Sequence, residues 1–352
     1  MAKYFGHFYR ETVWGADNEV NTFVDFGIGA DTLVGGDREN IFYLRVDEAA
    51  DTIWGSSSWD VVDYSGADRG VTIDLSRGIV SAMFGNHVSQ VANLIGVEHA
   101  TGSNFADTII ADTGGRIIDG GLGDDFLDGG AGNANTLSFT SHDLALVHQN
   151  EQFNISLGMN GNNGNVSVFC TVGGSFQLVE SDIIRNFNDV IGSNHSENIS
   201  GNEQNNDLRG RGGNDVINGF GGNDVLVGGG GCDRLIGSSG ADQLLGGSEA
   251  DTFVFVTAAD SAPLAYDLIF DFEQGLDRID VSHIDGLMQQ FGFQHLAFTT
   301  TQTPSVGQIA SHYDEQHDMT IIEARTNMLS STPNFHLELT GHYNLTASDF
   351  IL

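Results

Sequence analysis

Seven side chains recur at nine-residue intervals in the second half of this chain: Glu197, Asn206, Asp215, Asp224, Asp233, Asp242 and Asp251. All but Asn206 are acids. Oxygen donors at a fixed repeat suit a hard divalent cation, and calcium, which takes about six to eight oxygens, is the natural candidate. The surrounding residues repeat in phase with them. From Gly192 to Val254 the chain divides without a gap into GSNHSENIS, GNEQNNDLR, GRGGNDVIN, GFGGNDVLV, GGGGCDRLI, GSSGADQLL and GGSEADTFV. Position one is always glycine, and position six holds the acids. Position eight is always apolar: Ile199, Leu208, Ile217, Leu226, Leu235, Leu244 and Phe253. Position four is Gly213, Gly222, Gly231 and Gly240 in four units, and His195, Gln204 and Glu249 in the others.

The elements that must position these acids follow from the same classes. One inward apolar residue among polar ones fits a very short strand with one buried face. Glycine supplies the positive-φ turns that other residues resist. Nine residues therefore make one turn and one strand, and two nonads complete a coil. Coils should stack at about 4.8 Å, the spacing of hydrogen-bonded strands. Position six then recurs every second nonad on the same edge. Glu197, Asp215, Asp233 and Asp251 form one column, and Asn206, Asp224 and Asp242 the other. Carboxylates so close repel one another unless cations lie between them.

The frame also appears upstream, at 102–137, as GSNFADTII, ADTGGRIID, GGLGDDFLD and GGAGNANTL. One column there keeps Asp107 and Asp125, whereas the other carries Arg116 and Ala134. We expect a cation on the first edge and none on the second, with Arg116 filling its place. Fainter units lie at 26–34, 35–43, 46–54 and 55–63, and longer β excursions at 64–101 and 138–191 precede the two clear nonad runs.

Composition narrows the partners. The 352 residues carry 48 acidic against 13 basic side chains, a formal charge of −35. Such a charge repels phosphate backbones and anionic lipid heads, which makes nucleic acid and bare membrane poor partners. Only Pro263, Pro304 and Pro333 interrupt the backbone donors, all late in the chain, so residues 1–262 are free to pair as strands. No apolar run is long enough for a transmembrane helix. MAKYFGHFYRETVWG lacks the apolar stretch of a cleavable leader, which by itself places the protein in the cytosol. Cys170 and Cys232 are too few for a disulfide framework and read as isolated thiols.

The nonads resemble the RTX, or hemolysin-type, repeat G-G-x-G-x-D-x-U-x, a calcium-binding pattern in which U is a large apolar residue. The resemblance implies a right-handed parallel β-roll, with ions held by position-six side chains and turn carbonyls of consecutive coils. Carried onto this chain, it assigns metal sites to Asp215, Asp224, Asp233, Asp242 and Asp251, with Glu197 and Asn206 at the weaker end. After the roll, DTFVFVTAADSA and YDLIFDFEQGLDRIDVSHID resemble the aspartate-rich cap of serralysin-type secretion domains (Asp267, Asp271, Asp277, Asp280). Asp349, Phe350, Ile351 and Leu352 resemble the terminal export signal of those proteins. They leave Gram-negative cells through a one-step type I exporter without a cleaved leader. The resemblance therefore implies a secreted, extracellular protein and reverses the cytosolic reading. The fold class expected is all-β: a parallel β-roll solenoid of nonapeptides with irregular excursions and a C-terminal β cap. Its divisions are 1–101, 102–137, 138–191, 192–254 and 255–352.

No catalytic centre is legible. The zinc motif H-E-x-x-H of serralysins is absent, and His312 and His317 have the wrong spacing for one helical face. G-x-S-x-G is absent too, GSSSW at 55–59 being a repeat turn. The D-P-H-E signature of mannuronan epimerases, which carry similar nonads, is also missing. One aromatic group remains: Trp14, Trp54 and Trp59, near Tyr4, Phe5, Phe8 and Tyr9. Exposed rings would stack on sugar, but an open solenoid end needs an apolar plug, and the plug is the reading we favour. The function expected is a calcium-folded matrix, adhesion or surface protein, with extracellular polysaccharide a candidate partner. The alternative is a lyase- or epimerase-like enzyme, or an accessory carbohydrate-binding protein, with its site in 1–101 or 138–191.

Overall fold

The computed structural model describes residues 1–5, 10–24, 29–56, 59–132, 135–144, 152–159, 163–172, 175–285, 294–327 and 332–352. Phe8, Tyr9, Ala134 and parts of the faint units at 26–34 and 55–63 lie outside them. The chain forms two compact units, one of Met1–Glu151 with Gly161–Ser193, the other of Gln152–Asn160 with Asn194–Leu352.

The second unit contains the seven nonads, and its strands alternate between two sheets. One sheet takes Gln152–Ser156, Ser196–Asn202, Val216–Phe220, Arg234–Ile236, Thr252–Val254, Arg278–Asp280 and Phe350–Ile351. The other takes Asp207–Gly212, Val225–Gly230, Gln243–Ser248, Asp267–Ile269 and Phe335–Thr340. Within the nonads the pairing is parallel with a constant 18-residue step, Ile199 against Ile217, Ile217 against Leu235 and Leu208 against Leu226. This is the coil of two nonads expected from the sequence. Position eight is the reason: each of those seven side chains is at most 1% exposed. Burying one aliphatic side chain of this size stabilises by roughly 1.5–3 kcal/mol. Downstream the coils continue through longer turns, Phe253 pairing with Ile279 and Leu244 with Ile269. The cap adds an antiparallel meander of Gln308–Asp314, Met319–Arg325 and Phe335–Thr340.

The first unit repeats the plan with larger interruptions. Ala2–Phe5, Asn21–Val24, Asn40–Tyr43, Asp60–Asp63, His99–Thr101, Ile117–Asp119, Thr136–Ser138 and Asp189–Ile191 make one parallel sheet. Its inward column is Phe23, Phe42, Val62, Ala100, Ile118, Leu137 and Val190, all buried. In the opposite sheet both excursions fold back as antiparallel strands. Ile79–Phe84 pairs with Val71–Asp74 and His87–Ile95, and Gly164–Val172 pairs with Ser175–Arg185. From Thr12–Trp14 the parallel pairing of this sheet leads through Thr32–Val34 and Asp51–Trp54 to His87–Ile95. The architecture is thus an all-β parallel roll. Part of the excursion expected at 138–191 departs from its place in the sequence: Gln152–Ser156 pairs with Ser196–Asn202 in the second unit. QFNIS and SENIS share their last three residues, a likeness the nonad frame had no place for. No helix among the described residues is long and apolar enough to cross a membrane.

Candidate metal-binding turns

Each position-six acid is buried, between 1% and 2% exposed for Glu197, Asp215, Asp224, Asp233, Asp242 and Asp251. Its two carboxylate oxygens do different work. One accepts the backbone N–H of the position-six residue a coil earlier. The N–H of Glu197 donates to Asp215 Oδ1 (2.8 Å), Asp215 to Asp233 (2.8 Å), Asp233 to Asp251 (2.9 Å) and Asp251 to Asp277 (2.9 Å). On the other edge Asn206 donates to Asp224 (2.8 Å), Asp224 to Asp242 (2.8 Å) and Asp242 to Asp267 (2.9 Å). The two expected columns are therefore continuous ladders, and Asp267 and Asp277 extend them.

The second oxygen has no such use. Oδ2 of Asp215, Asp224, Asp233, Asp242, Asp251 and Asp267 is buried with no hydrogen-bond partner. Around it the turn is shaped by glycine in two ways. At position one the demand is for space: a Cβ on Gly210, Gly219, Gly228, Gly237 or Gly246 would collide with Oδ2 of the acid five residues on. Positive φ, which the sequence reading assigned to glycine generally, falls instead at positions two and four. Position two has Arg211, Phe220, Gly229, Ser238 and Gly247, and position four has Gly213, Gly222, Gly231, Gly240 and Glu249. This alternation brings each turn's carbonyls onto the next turn, so that a Cβ on Gly231 would meet Gly213 O and one on Gly240 would meet Gly222 O.

An anionic oxygen left unsatisfied in the interior is expensive, and the local acidities record it. Burial raises the carboxyls of Asp224 and Asp251 to about 7 and that of Asp242 to about 6, and it also raises Asp215 and Asp233. Burial, then the neighbouring Asp242, raises Asp267 to about 9. Backbone donors at the other oxygen only partly offset these shifts. Among the described residues, no group of three or more His, Cys, Asp or Glu side chains is arranged to hold a metal ion. A cation held here would take one carboxylate oxygen per turn and complete its shell from carbonyls, an all-oxygen donor set that fits calcium and not a soft metal.

In the first unit Asp107 and Asp125 stand in one ladder, the Asp107 N–H donating to Asp125 Oδ1 at 2.8 Å. The next rung, absent from the nonad frame, is Asp182, which accepts the Asp125 N–H at 2.9 Å. Burial and then Asp182 raise Asp125 to about 9, and its Oδ2 is also without a partner. On the other edge Arg116 turns its guanidinium to Asp112 (Nη2 to Oδ2, 2.7 Å) and lies 4.0 Å from Glu98. Its N–H donates to Asn135, one residue after the expected Ala134. Further up, Asn40 Nδ2 donates to Asp60 Oδ1 (2.7 Å), and the Asp31 N–H to Asp51 Oδ1 (2.8 Å). These rungs lie 20 residues apart, which hid them from a strict nonad count. Asp271 stands outside the columns: both its oxygens accept backbone N–H groups, of Gly246 and Gly247. Asp280 pairs with Arg234 (3.3 Å). Cys232 is free and exposed.

The tryptophans do not plug the solenoid. Trp14, Trp54 and Trp59 are 68%, 45% and 60% exposed. The end of the core is covered instead by Tyr4, stacked on Phe23, which stacks on Phe42 (5.1 and 4.7 Å between ring centres). Trp14 and Trp54 lie on the outer faces of short strands, which leaves that space to smaller rings.

Comparison with known proteins gives the family. The family described as Peptidase M10 serralysin C terminal matches residues 44–352. Serralysin of Proteus mirabilis is 31% identical over 100 residues, covering 28% of this chain and a fifth of that protein's length. Among solved structures, the AlgE6R3 subunit of the Azotobacter vinelandii mannuronan C5-epimerase is 28% identical (46% of this chain, 80% of that one, TM-score 0.23). The extracellular lipase LipA of Serratia marcescens is 13% identical (89% and 45%, TM-score 0.31). Superpositions this loose bear on neither fold nor function.

Proposed function

Since the chain belongs to the family of serralysin-type C-terminal domains, built on RTX repeats, we propose that it is a secreted protein whose roll is folded by calcium outside the cell. The observation that carries this reading is the run of buried, partnerless Oδ2 atoms facing turn carbonyls in stacked coils. Asp215, Asp224, Asp233, Asp242, Asp251 and Asp267 would hold the ions, and Asp125 would do so in the first unit, whereas both oxygens of Asp107 already accept backbone N–H groups, of Val71 and Ser103. Asn206, neutral, contributes less. Bound calcium supplies the positive charge that these carboxylates lack. Extracellular modules bind calcium at roughly 10⁻⁴–10⁻³ M, well above cytosolic levels, so the chain stays open until it is exported. Titration calorimetry of chelator-treated protein should show several ions bound. Asp224→Asn should remove binding on its edge, with Asn206→Ala much milder. Wild-type protein that takes up no calcium at millimolar concentration would overturn the proposal.

Export by a type I exporter belongs to the same reading. In the folded chain Phe350–Ile351 pairs with Arg278–Asp280, Phe350 is 5% exposed and the Asp349 side chain accepts the Thr346 N–H. An exporter can grip this segment only before the roll closes. Deleting the last 50 or so residues should leave the protein inside the cell, and undiminished secretion would contradict this route. The role proposed outside is that of a matrix, adhesion or surface component.

A further inference from the structure

We propose that a cavity on the outer face of the first unit, walled by Trp59 and floored by His99, binds one uncharged sugar ring of a glycan. The inference deepens the extracellular reading and rests on it, but it uses none of the residues assigned to calcium. The cavity, about 210 Å³, lies over three consecutive parallel strands, Asp60–Asp63, His99–Thr101 and Ile117–Asp119. Small-molecule pockets run from roughly 300 to 1,000 Å³, so this one takes a single ring rather than a larger ligand.

One wall is held by hydrogen bonds. Asp119 accepts from Ser138 Oγ (3.2 Å), Thr140 Oγ1 (3.3 Å) and the Ser141 N–H (3.0 Å), which fixes the Thr140–Leu144 turn as one side. Trp59 forms another, its ring 4.6 Å from that of His99 and inclined at 40°. The indole rests on the imidazole and leaves much of its surface, 60%, open to solvent.

His99 supplies a neutral floor. It is 4% exposed, and its Nδ1 accepts the Ile117 N–H at 2.9 Å. That bond places the proton on Nε2, which is buried without a hydrogen-bond partner. Burial, then Arg116, lowers the imidazole to about 4, so it is neutral at physiological pH. Nε2 is closed off from solvent, so the neutral imidazole backs the indole, and the polar partners for a sugar come from the hydroxyls beside it. Thr101 lines the cavity with a hydroxyl that both donates and accepts, Thr140 Oγ1, its proton given to Asp119, can accept, and Glu39 adds an acceptor for a hydroxyl proton. The C–H face of a pyranose fits an indole face, an apolar body beside polar tips. Glu39 and Asp119 oppose a uronate or other anionic sugar on a chain already at −35.

Native electrophoresis of the calcium-loaded full chain through gels containing galactomannan, dextran or hydroxyethylcellulose tests this, with alginate as the anionic probe. At least one neutral polymer should retard the protein, and alginate should not. Trp59→Ala and Thr101→Val should each weaken retardation about tenfold, equivalent to about 1.4 kcal/mol. Trp14→Ala and Trp54→Ala should leave it unchanged. Thr101→Val keeps strand shape, so it decides the matter if Trp59→Ala misfolds. Calcium midpoints by circular dichroism in the same samples separate failure of this site from failure of the calcium reading. The proposal is overturned if no neutral polymer retards the protein, if alginate does so equally, or if well-folded Trp59→Ala or Thr101→Val binds as tightly as wild type.

Discussion

At the scale of single residues, the turn is organised by a carboxylate that divides its oxygens between a backbone ladder and an empty interior position. Asp224 shows both parts, with Oδ1 on the Asn206 N–H and Oδ2 where a Cβ of Gly219 would lie. Position one is glycine because of position six, a dependence visible only in three dimensions. It has a measurable consequence. Gly219→Ala should destabilise the calcium-loaded roll by about 1–3 kcal/mol, the usual range for overpacking. In an Asp224→Ala background the obstructing oxygen is gone, and most of that cost should vanish. Thermal melts of the two single variants and the double variant measure the coupling, and strict additivity would contradict this account of the glycine. Gly222, at φ 109°, should stay sensitive in either background, because its demand is conformational.

Among elements, the parts legible in the sequence were those in which sequence spacing and spatial spacing coincide. Ser196–Asn202 through Thr252–Val254 follow the 18-residue step, so both columns and the buried position-eight residues could be read directly. Where a strand arrives from far along the chain, the spacing carried no signal. Asp182 completes the Asp107–Asp125 ladder after a gap of 57 residues, because Ser175–Arg185 lies where the next nonad would be. Gln152–Ser156 escaped notice for the same reason. Ladder membership requires only a backbone N–H opposite a side-chain oxygen, which Asp60, Asp51 and Asn40 achieve at 20-residue steps. The aromatic residues divided on a finer criterion. Tyr4 and Phe23 sit in line with the inward column, whereas Trp14 and Trp54 fall on outward positions of theirs.

The whole molecule carries a net charge of −35 and buries a regular series of its acids. Without a cation those acids hold their protons to higher pH than an exposed carboxyl does. Their acidities when folded, about 7 for Asp224 and Asp251 and about 6 for Asp242, lie above the usual unfolded value near 3.9. The sign follows by linkage. A raised carboxyl in the folded state contributes stability that is fully present below about pH 4 and lost as pH rises through about 6–7. Protons should therefore stand in for the metal, and the ion-free roll should be stabler at pH 4 than at neutrality. Ion binding, by contrast, appears as folding free energy at neutral pH, because the sites do not exist in the unfolded chain. Far-UV circular dichroism of the full chain at neutral pH, in excess chelator and then through millimolar calcium, tests the central claim most directly. The account predicts little β structure in chelator, cooperative recovery with calcium, and partial recovery without calcium on acidification to pH 4. A spectrum and melting temperature unchanged by chelator at neutral pH would contradict it.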